Sequence, residues 1–271
     1  MSKKTNAGGP MILKRLTESL RRRDWFTVFM EIMIVVVGVF IGIEVSNWNQ
    51  DRQNRALAES YLVRLTADLE SQIATWEDAL QYFRQTRQHT LSALENFQSP
   101  VEDLGEQFLI DLYQASQARN LSVRRSTYDE LVATGGIEYL PPALSREALG
   151  VHYDLSERWL AVAGDITDYR PVIRRHMDYR VQEAIVDACG DIYVIHPFAY
   201  FTVQLPDDCD IVLPAALVSA EVEQLHANTI VEQHLRYQAS NLRSRIQAIE
   251  NALTATRNTL TAVRQIKGSE S

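Results

Sequence analysis

The chain has 271 residues, enough for one sizeable domain or for a domain with an anchor. Its eleven Gly and eight Pro are few for that length, which favours long uninterrupted helices over a turn-rich β fold. The net charge of −8 is unevenly spread: residues 1–24 carry seven basic side chains against two acidic ones, and residues 46–271 carry 20 basic against 31 acidic, a balance of −11 that repels phosphate backbones and excludes nucleic acid as a partner of the large part.

The first segment, residues 1–24, is a basic tail with Lys3, Lys4, Lys14, Arg15 and Arg21–Arg23, and its first ten residues are expected to be disordered. Residues 25–45 read WFTVFMEIMIVVVGVFIGIEV, with an unbroken apolar run from Ile32 to Ile43. As a helix, that segment is roughly 31 Å long, about the thickness of the hydrocarbon layer. Trp25 and Trp48 flank it, where interfacial tryptophans anchor a span. The segment therefore predicts a transmembrane anchor. No small-residue cleavage pattern follows Val45, which predicts an uncleaved signal anchor. Basic flanks stay cytoplasmic, so the N-terminus is expected inside and residues 46–271 in a periplasm-like space.

Within the anchor, Glu31 is the most informative residue, because a carboxylate in an apolar span is costly. At about 100° per residue Glu31, Gly38, Gly42 and Asn49 fall on one narrow arc. Gly38 and Gly42 make a G-x-x-x-G pair, which lets two helix backbones approach closely. Glu31 is thus an intramembrane candidate for binding a proton, a cation or a partner's donor, against a solvating role near the cytoplasmic headgroups.

Residues 46–99 predict a long stalk helix. Leu69, Ile73, Trp76, Leu80, Phe83, Arg87, Thr90, Leu94 and Phe97 recur at alternating four and three. Residues 215–267 predict a return stalk helix with the same spacing at Leu235, Ala239, Leu242, Ile246, Ile249, Leu253, Thr256, Leu260 and Val263. An antiparallel pair within the chain and a pairing between subunits both satisfy these stripes. Residues 100–214 predict a distal helical subdomain with helices at 102–118, 126–134, 143–169 and 172–188. Thr127 and Glu130 suit a capping box, Gly135-Gly136 a left-handed stop, and Pro171 a restart. Ile192–Ile195 and Ala199–Leu205, around His196-Pro197, predict a small hairpin. Residues 268–271 form a tail expected to be disordered. The expected fold class is all-α: a transmembrane helix continuing into an antiparallel coiled-coil stalk, with a distal helical subdomain and one hairpin.

Cys189 and Cys209 fit either a disulfide closing a loop of about twenty residues or two unpaired thiols, and their spacing is not that of a metal site. The six histidines are scattered, with His226 and His234 expected on one helix but too far apart to share a metal. Asp207, Asp208 and Asp210 lack the glycine and bidentate glutamate of a calcium loop. Arg124-Arg125, Arg174-Arg175 and Arg180 are basic spots best read as internal salt bridges. The sequence carries no H-E-x-x-H, G-x-S-x-G, S-x-x-K, P-loop or G-x-G-x-x-G, so no catalytic residue, metal ligand or cofactor is expected, and the protein reads as a non-enzyme.

The anchor residues Glu31…Gly38…Gly42…Asn47-Trp48 resemble an uncharacterised bacterial family of single-pass inner-membrane proteins, whose members read G-E-I-x-apolar-G-I-x-I-A-x-x-x-N-N-W. A second block, Thr127-Tyr128-Asp129-Glu130-Leu131 with Gly135-Gly136 and His152-Tyr153, is similar to the family's Y-x-x-L-x-x-S-G-N-L followed by a Tyr pair. This chain departs from the pattern at Met30, Gly42, Ser46 and His152, and residues 190–213 are unmatched. The resemblance implies a membrane-anchored helical protein of the bacterial inner membrane and brings no activity with it.

Together these readings predict a structural or interaction module of the cell envelope. It is expected to be embedded in the lipid bilayer, self-associating or joined to a membrane-protein partner. An accessory subunit of an ion- or proton-linked complex using Glu31, and a periplasmic ligand-sensing domain working through a separate transducer, are the alternatives.

Overall fold

A computed structural model describes residues 25–195 and 201–269. Residues 1–24, 196–200 and 270–271 lie outside that range, and with them the expected turn at His196-Pro197 and the first residues of the expected second strand segment. The chain divides into two units, Met1–Leu57 and Ala58–Ser271. The fold is predominantly helical, with one two-stranded antiparallel sheet among the described residues.

In the first unit, residues 25–57 belong to helix α1, Trp25–Asn96. Its N-terminal stretch is the one helix among the described residues long and apolar enough to cross a membrane, and none of that apolar window is buried.

The second unit begins with the rest of α1. The other elements are α2 (Glu106–Gln114), α3 (Ser126–Thr134), α4 (Arg146–Ala163), α5 (Tyr169–His176), α6 (Tyr179–Cys189), β1 (Ile192–Ile195), β2 (Phe201–Gln204), α7 (Ala215–His226) and α8 (Thr229–Ser269). α1 and α8 run antiparallel. Three ion pairs mark their register: Glu70 with Arg264 at 2.7 Å, Glu77 with Arg257 at 2.5 Å and Arg84 with Glu250 at 2.6 Å. The numbers rise by seven on one helix as they fall by seven on the other, so each helix presents the same face one heptad further along. These pairs are exposed and add little energy. The stabilisation lies in the stripes beneath them, where Leu65, Leu69, Trp76, Phe83, Leu242, Ile249 and Val263 are fully buried. Burial of a side chain of that size contributes about 1.5–3 kcal/mol.

The segments between these helices pack in three apolar clusters. The first joins Leu62, Leu65 and Leu69 to Leu131, Leu149 and Leu260; the second joins Trp76 and Phe83 to Val203, Leu205, Ile249 and Leu253. The third, at the far end, gathers Phe97, Phe108, Tyr169, Ile185, Val222 and Leu235.

Several boundaries differ from the sequence reading. The helix expected at 143–169 is shorter, because Ser145 caps its start by accepting from Ala148 N at 3.4 Å and Gly164 follows its end. The helix expected at 172–188 is two. Pro171 sits in the first turn of α5, where its missing N–H is not needed, and the chain breaks at Met177 because Asp178 caps α6 by accepting from Arg180 N at 2.8 Å. The return segment is also two helices: Asn228 Oδ1 accepts from Ile230 N at 3.1 Å and Val231 N at 3.2 Å, capping α8 three residues after α7 ends. His226 and His234 therefore stand on different helices.

The capping box expected at Thr127 and Glu130 does not form. A residue 59 positions away takes its place, since Thr127 N donates to Asp68 Oδ2 at 3.0 Å. Glu130 is engaged by Arg64 and by the Tyr61 hydroxyl at 3.3 Å. Gly135 ends α3 in the left-handed region, φ +73°, which only glycine adopts without strain. Gly136 has the Tyr61 ring where a Cβ would stand, at 3.0 Å.

β1 and β2 pair with Ile192 opposite Gln204 and Tyr193 opposite Val203. Asp78 of α1 fixes the hairpin. Its carboxylate pairs with Arg119 and accepts from Val203 N at 3.3 Å, and Arg119 donates to Val203 O at 3.2 Å. A disulfide joins Cys189, at the end of α6, to Cys209, with the two Cα atoms 5.3 Å apart. With its ends 20 positions apart in sequence, this cross-link should stabilise the fold by about 3 kcal/mol through loop closure. We expect thiol titration of the unfolded, unreduced chain to find no free cysteine, and Cys209→Ser to lower the denaturation free energy by that amount. Two titratable thiols in the untreated protein would contradict the cross-link.

Candidate functional site

Two sets of residues are candidates. In the first unit, Glu31, Gly38 and Gly42 are exposed on the apolar stretch of α1, and at both glycines an added Cβ would meet nothing within 4 Å. Trp25 and Trp48 at its ends are exposed as well. The face that bears the acid and the small residues thus has no partner among the described residues of the chain. The sequence reading brings these three residues together on one arc, and the helical backbone of α1 keeps them there.

In the second unit the chemistry-bearing groups are turned inward and engage each other. His152 of α4 lies between α1 and α8. Its Nε2 meets Gln72 Oε1 at 3.2 Å and its Nδ1 meets Thr259 Oγ1 at 3.2 Å, while Gln72 Nε2 donates to Arg124 O at 2.6 Å. Gln72 Oε1 is an acceptor, so the neutral ring carries its proton on Nε2. Burial lowers the His152 pKa to about 4. Tyr82 donates to Asp191 Oδ1 at 3.1 Å; burial, then Asp191, pushes its hydroxyl well above the usual tyrosine range, and burial raises the Asp191 carboxyl.

Asp111, 2 % exposed, accepts from His89 Nδ1 at 2.8 Å, from Gln107 Nε2 at 2.8 Å and from the Ser92 hydroxyl. Serine and histidine both bond to the carboxylate, not to each other, so this trio is not wired as a nucleophile and its base. Asp207 accepts from Gln85 Nε2 at 3.1 Å. Among the described residues no group of three His, Cys, Asp or Glu is placed to hold a metal ion.

The basic spots singled out in the sequence mostly find acids. Arg124 lies 3.8 Å from Asp68, Arg125 pairs with Asp129 at 2.9 Å and with Glu157, and Arg180 pairs with Asp178 at 2.8 Å. Arg174 does otherwise: it donates to Ser116 Oγ at 3.1 Å and lies 3.3 Å from the centre of the Tyr113 ring. Sequence reading missed the Gln72–His152–Thr259 contact, whose members come from three helices, and the buried Arg245. That guanidinium donates to Ala163 O at 2.6 Å and stacks 4.0 Å from the Phe83 ring, and burial lowers its pKa to about 10.

The His152 environment sets a pH dependence. Its folded pKa lies below the ordinary 6.5, so stability is complete above that value and is lost as the pH falls from about 6.5 to about 4, where the unfolded chain binds a proton that the folded chain refuses. The loss should approach 3 kcal/mol at the acid end. Denaturant titrations at pH 7.5 and 4.5 should show His152→Gln reducing this difference by 2–3 kcal/mol; an unchanged difference would refute the assignment.

Comparison with protein-family models, with curated proteins and with solved structures found no match for this chain.

Proposed function

We propose that the chain is a membrane-anchored protein of the bacterial envelope that acts as an interaction module and not as an enzyme. Residues 25–45 cross the inner membrane with the N-terminus in the cytoplasm, and residues 46–271 lie outside it. The observation that carries this reading is the apolar stretch of α1, none of it buried against the described fold, with Glu31, Gly38 and Gly42 on one open face. A core helix of a soluble protein would bury such a surface, because exposed apolar area costs about 25 cal/mol per Å². Lipid satisfies most of that surface, and a second helix satisfies the acid and the glycines. The partner is another copy of the chain or a membrane protein. In the second unit, the heptad pairing of α1 with α8 supports a coiled-coil stalk carrying the helices of residues 100–214. The family resemblance of the anchor points the same way.

A second reading makes the protein an accessory subunit of an ion- or proton-linked complex. It is favoured by Glu31 alone, since one span cannot form a pore and a carboxylate in lipid calls for a partner.

Crosslinking of the full chain in native membranes tests the first reading. A discrete oligomer or one fixed partner is expected, and Gly38→Ile should abolish it by holding the backbones apart. Monomeric behaviour throughout, or recovery of the intact chain in the soluble fraction, would overturn it. Glu31→Gln separates the two readings: retained assembly with a lost complementation phenotype favours the ion-linked subunit.

A further inference from the structure

One position in the seam between α1 and α8 is left incomplete by its neighbours. Arg87 stands in the four-and-three stripe of α1, and Ile246 in the stripe of α8 lines the same groove. The Arg87 Nε is buried and has no hydrogen-bond partner among the described residues. A buried donor without an acceptor is costly, and its persistence calls for an explanation, an ion included.

Arg119, Arg174 and Arg245 also bury one unpartnered nitrogen, but each has other contacts. Arg119 holds Asp78, Arg174 holds Ser116 and the Tyr113 ring, and Arg245 holds Ala163 O and the Phe83 ring. Among the described residues Arg87 has neither an acid, nor a carbonyl, nor an aromatic face.

Arg87 opens on a groove of about 400 Å³, lined by Arg84 and Gln88 of α1, by Arg243, Gln247 and Glu250 of α8, and by the apolar Ile246. Glu250 is taken by Arg84 at 2.6 Å. Arg87 and Arg243 have no ion-pair partner among the described residues, so the groove keeps two positive charges within a part of the chain whose balance is −11.

We propose that this groove binds a small dianion, the phosphate or sulfate group of a low-molecular-weight compound. Planar guanidinium forks on two helices suit a tetrahedral oxyanion, and the amide of Gln88 supplies a further donor. Two uncompensated charges match a dianion. The acidic surroundings work against a long polyanion, which would have to cross them. The oxyanion gives the Arg87 and Arg243 guanidiniums a shared counterion and ties α1 to α8 across the groove. The site uses only residues of the second unit, so it stands or falls separately from the anchor reading.

The test is calorimetry and thermal unfolding of the full chain in a non-ionic detergent. Inorganic phosphate and sodium sulfate are titrated in, with sodium chloride at matched ionic strength as the control. Saturable one-to-one binding of phosphate or sulfate is expected, with a rise in Tm that chloride does not reproduce. The preferred anion tells which group the natural ligand carries. Arg243→Gln, an exposed change that leaves the core intact, should weaken binding about tenfold. Glu250→Gln should strengthen it, by freeing Arg84. Arg87→Met should abolish the response to added anion, because it removes one of the two charges in the groove that have no ion-pair partner among the described residues. Equal effects of chloride and phosphate, binding unchanged in Arg243→Gln, or an undiminished anion response in Arg87→Met would each overturn the proposal.

Discussion

The fold of the second unit depends on the apposition of α1 and α8. The stripes of both helices are buried in the same three apolar clusters, together with residues of the segments between them, and three exposed ion pairs at heptad offsets join the two helices. Everything between the two helices is attached to that pair. α3 takes its cap from Asp68, α4 fits His152 between Gln72 and Thr259, and the hairpin is held to Asp78 through Arg119. In each case a polar residue of α1 reaches a backbone or side-chain group that the distal chain cannot satisfy alone. The apolar clusters supply the energy, and these contacts decide where each segment docks.

The stripes were legible in the sequence because helical period is a local property that tertiary context rarely disturbs over seven turns. The same holds for the apolar stretch of α1, for Gly135 as a left-handed stop and for the hairpin strands. The breaks were less legible. Asn228 and Asp178 are ordinary cap residues, but each lies inside a run whose periodicity continues across it, and the apolar spacing masked the cap. The capping box at Thr127 failed for the opposite reason. The local signal was present, but Asp68 offers the same bond from another helix, which leaves Glu130 for Arg64. Arrangements that need three helices, such as Gln72, His152 and Thr259, have no local signal at all.

The candidate site on the anchor was legible for a different reason. Glu31, Gly38 and Gly42 need only a helical backbone to share a face, so their relation is fixed by residue count. Among the described residues nothing packs against the two glycines. A globular core is buried, whereas the apolar stretch of α1 is exposed throughout its hydrophobic window, which is compatible with a membrane anchor.

Arg245 and Arg87 show how the same chemistry takes different weight in one seam. Both are arginines on the paired helices, and both bury nitrogen atoms without partners. Arg245 is compensated: a carbonyl accepts from its Nε, and the Phe83 face takes the flat of the guanidinium, the side that is weakly hydrated in any case. It can stay buried without a counterion because the protein has supplied a substitute for water on two sides. Arg87 has been given neither substitute, yet it occupies a stripe position that Leu or Ile would fill at lower cost. Its Nε lacks an acceptor among the described residues, and its side chain borders an open groove. The groove beside it holds Arg243 across the seam, also without an ion-pair partner among the described residues, and is the place for the proposed oxyanion.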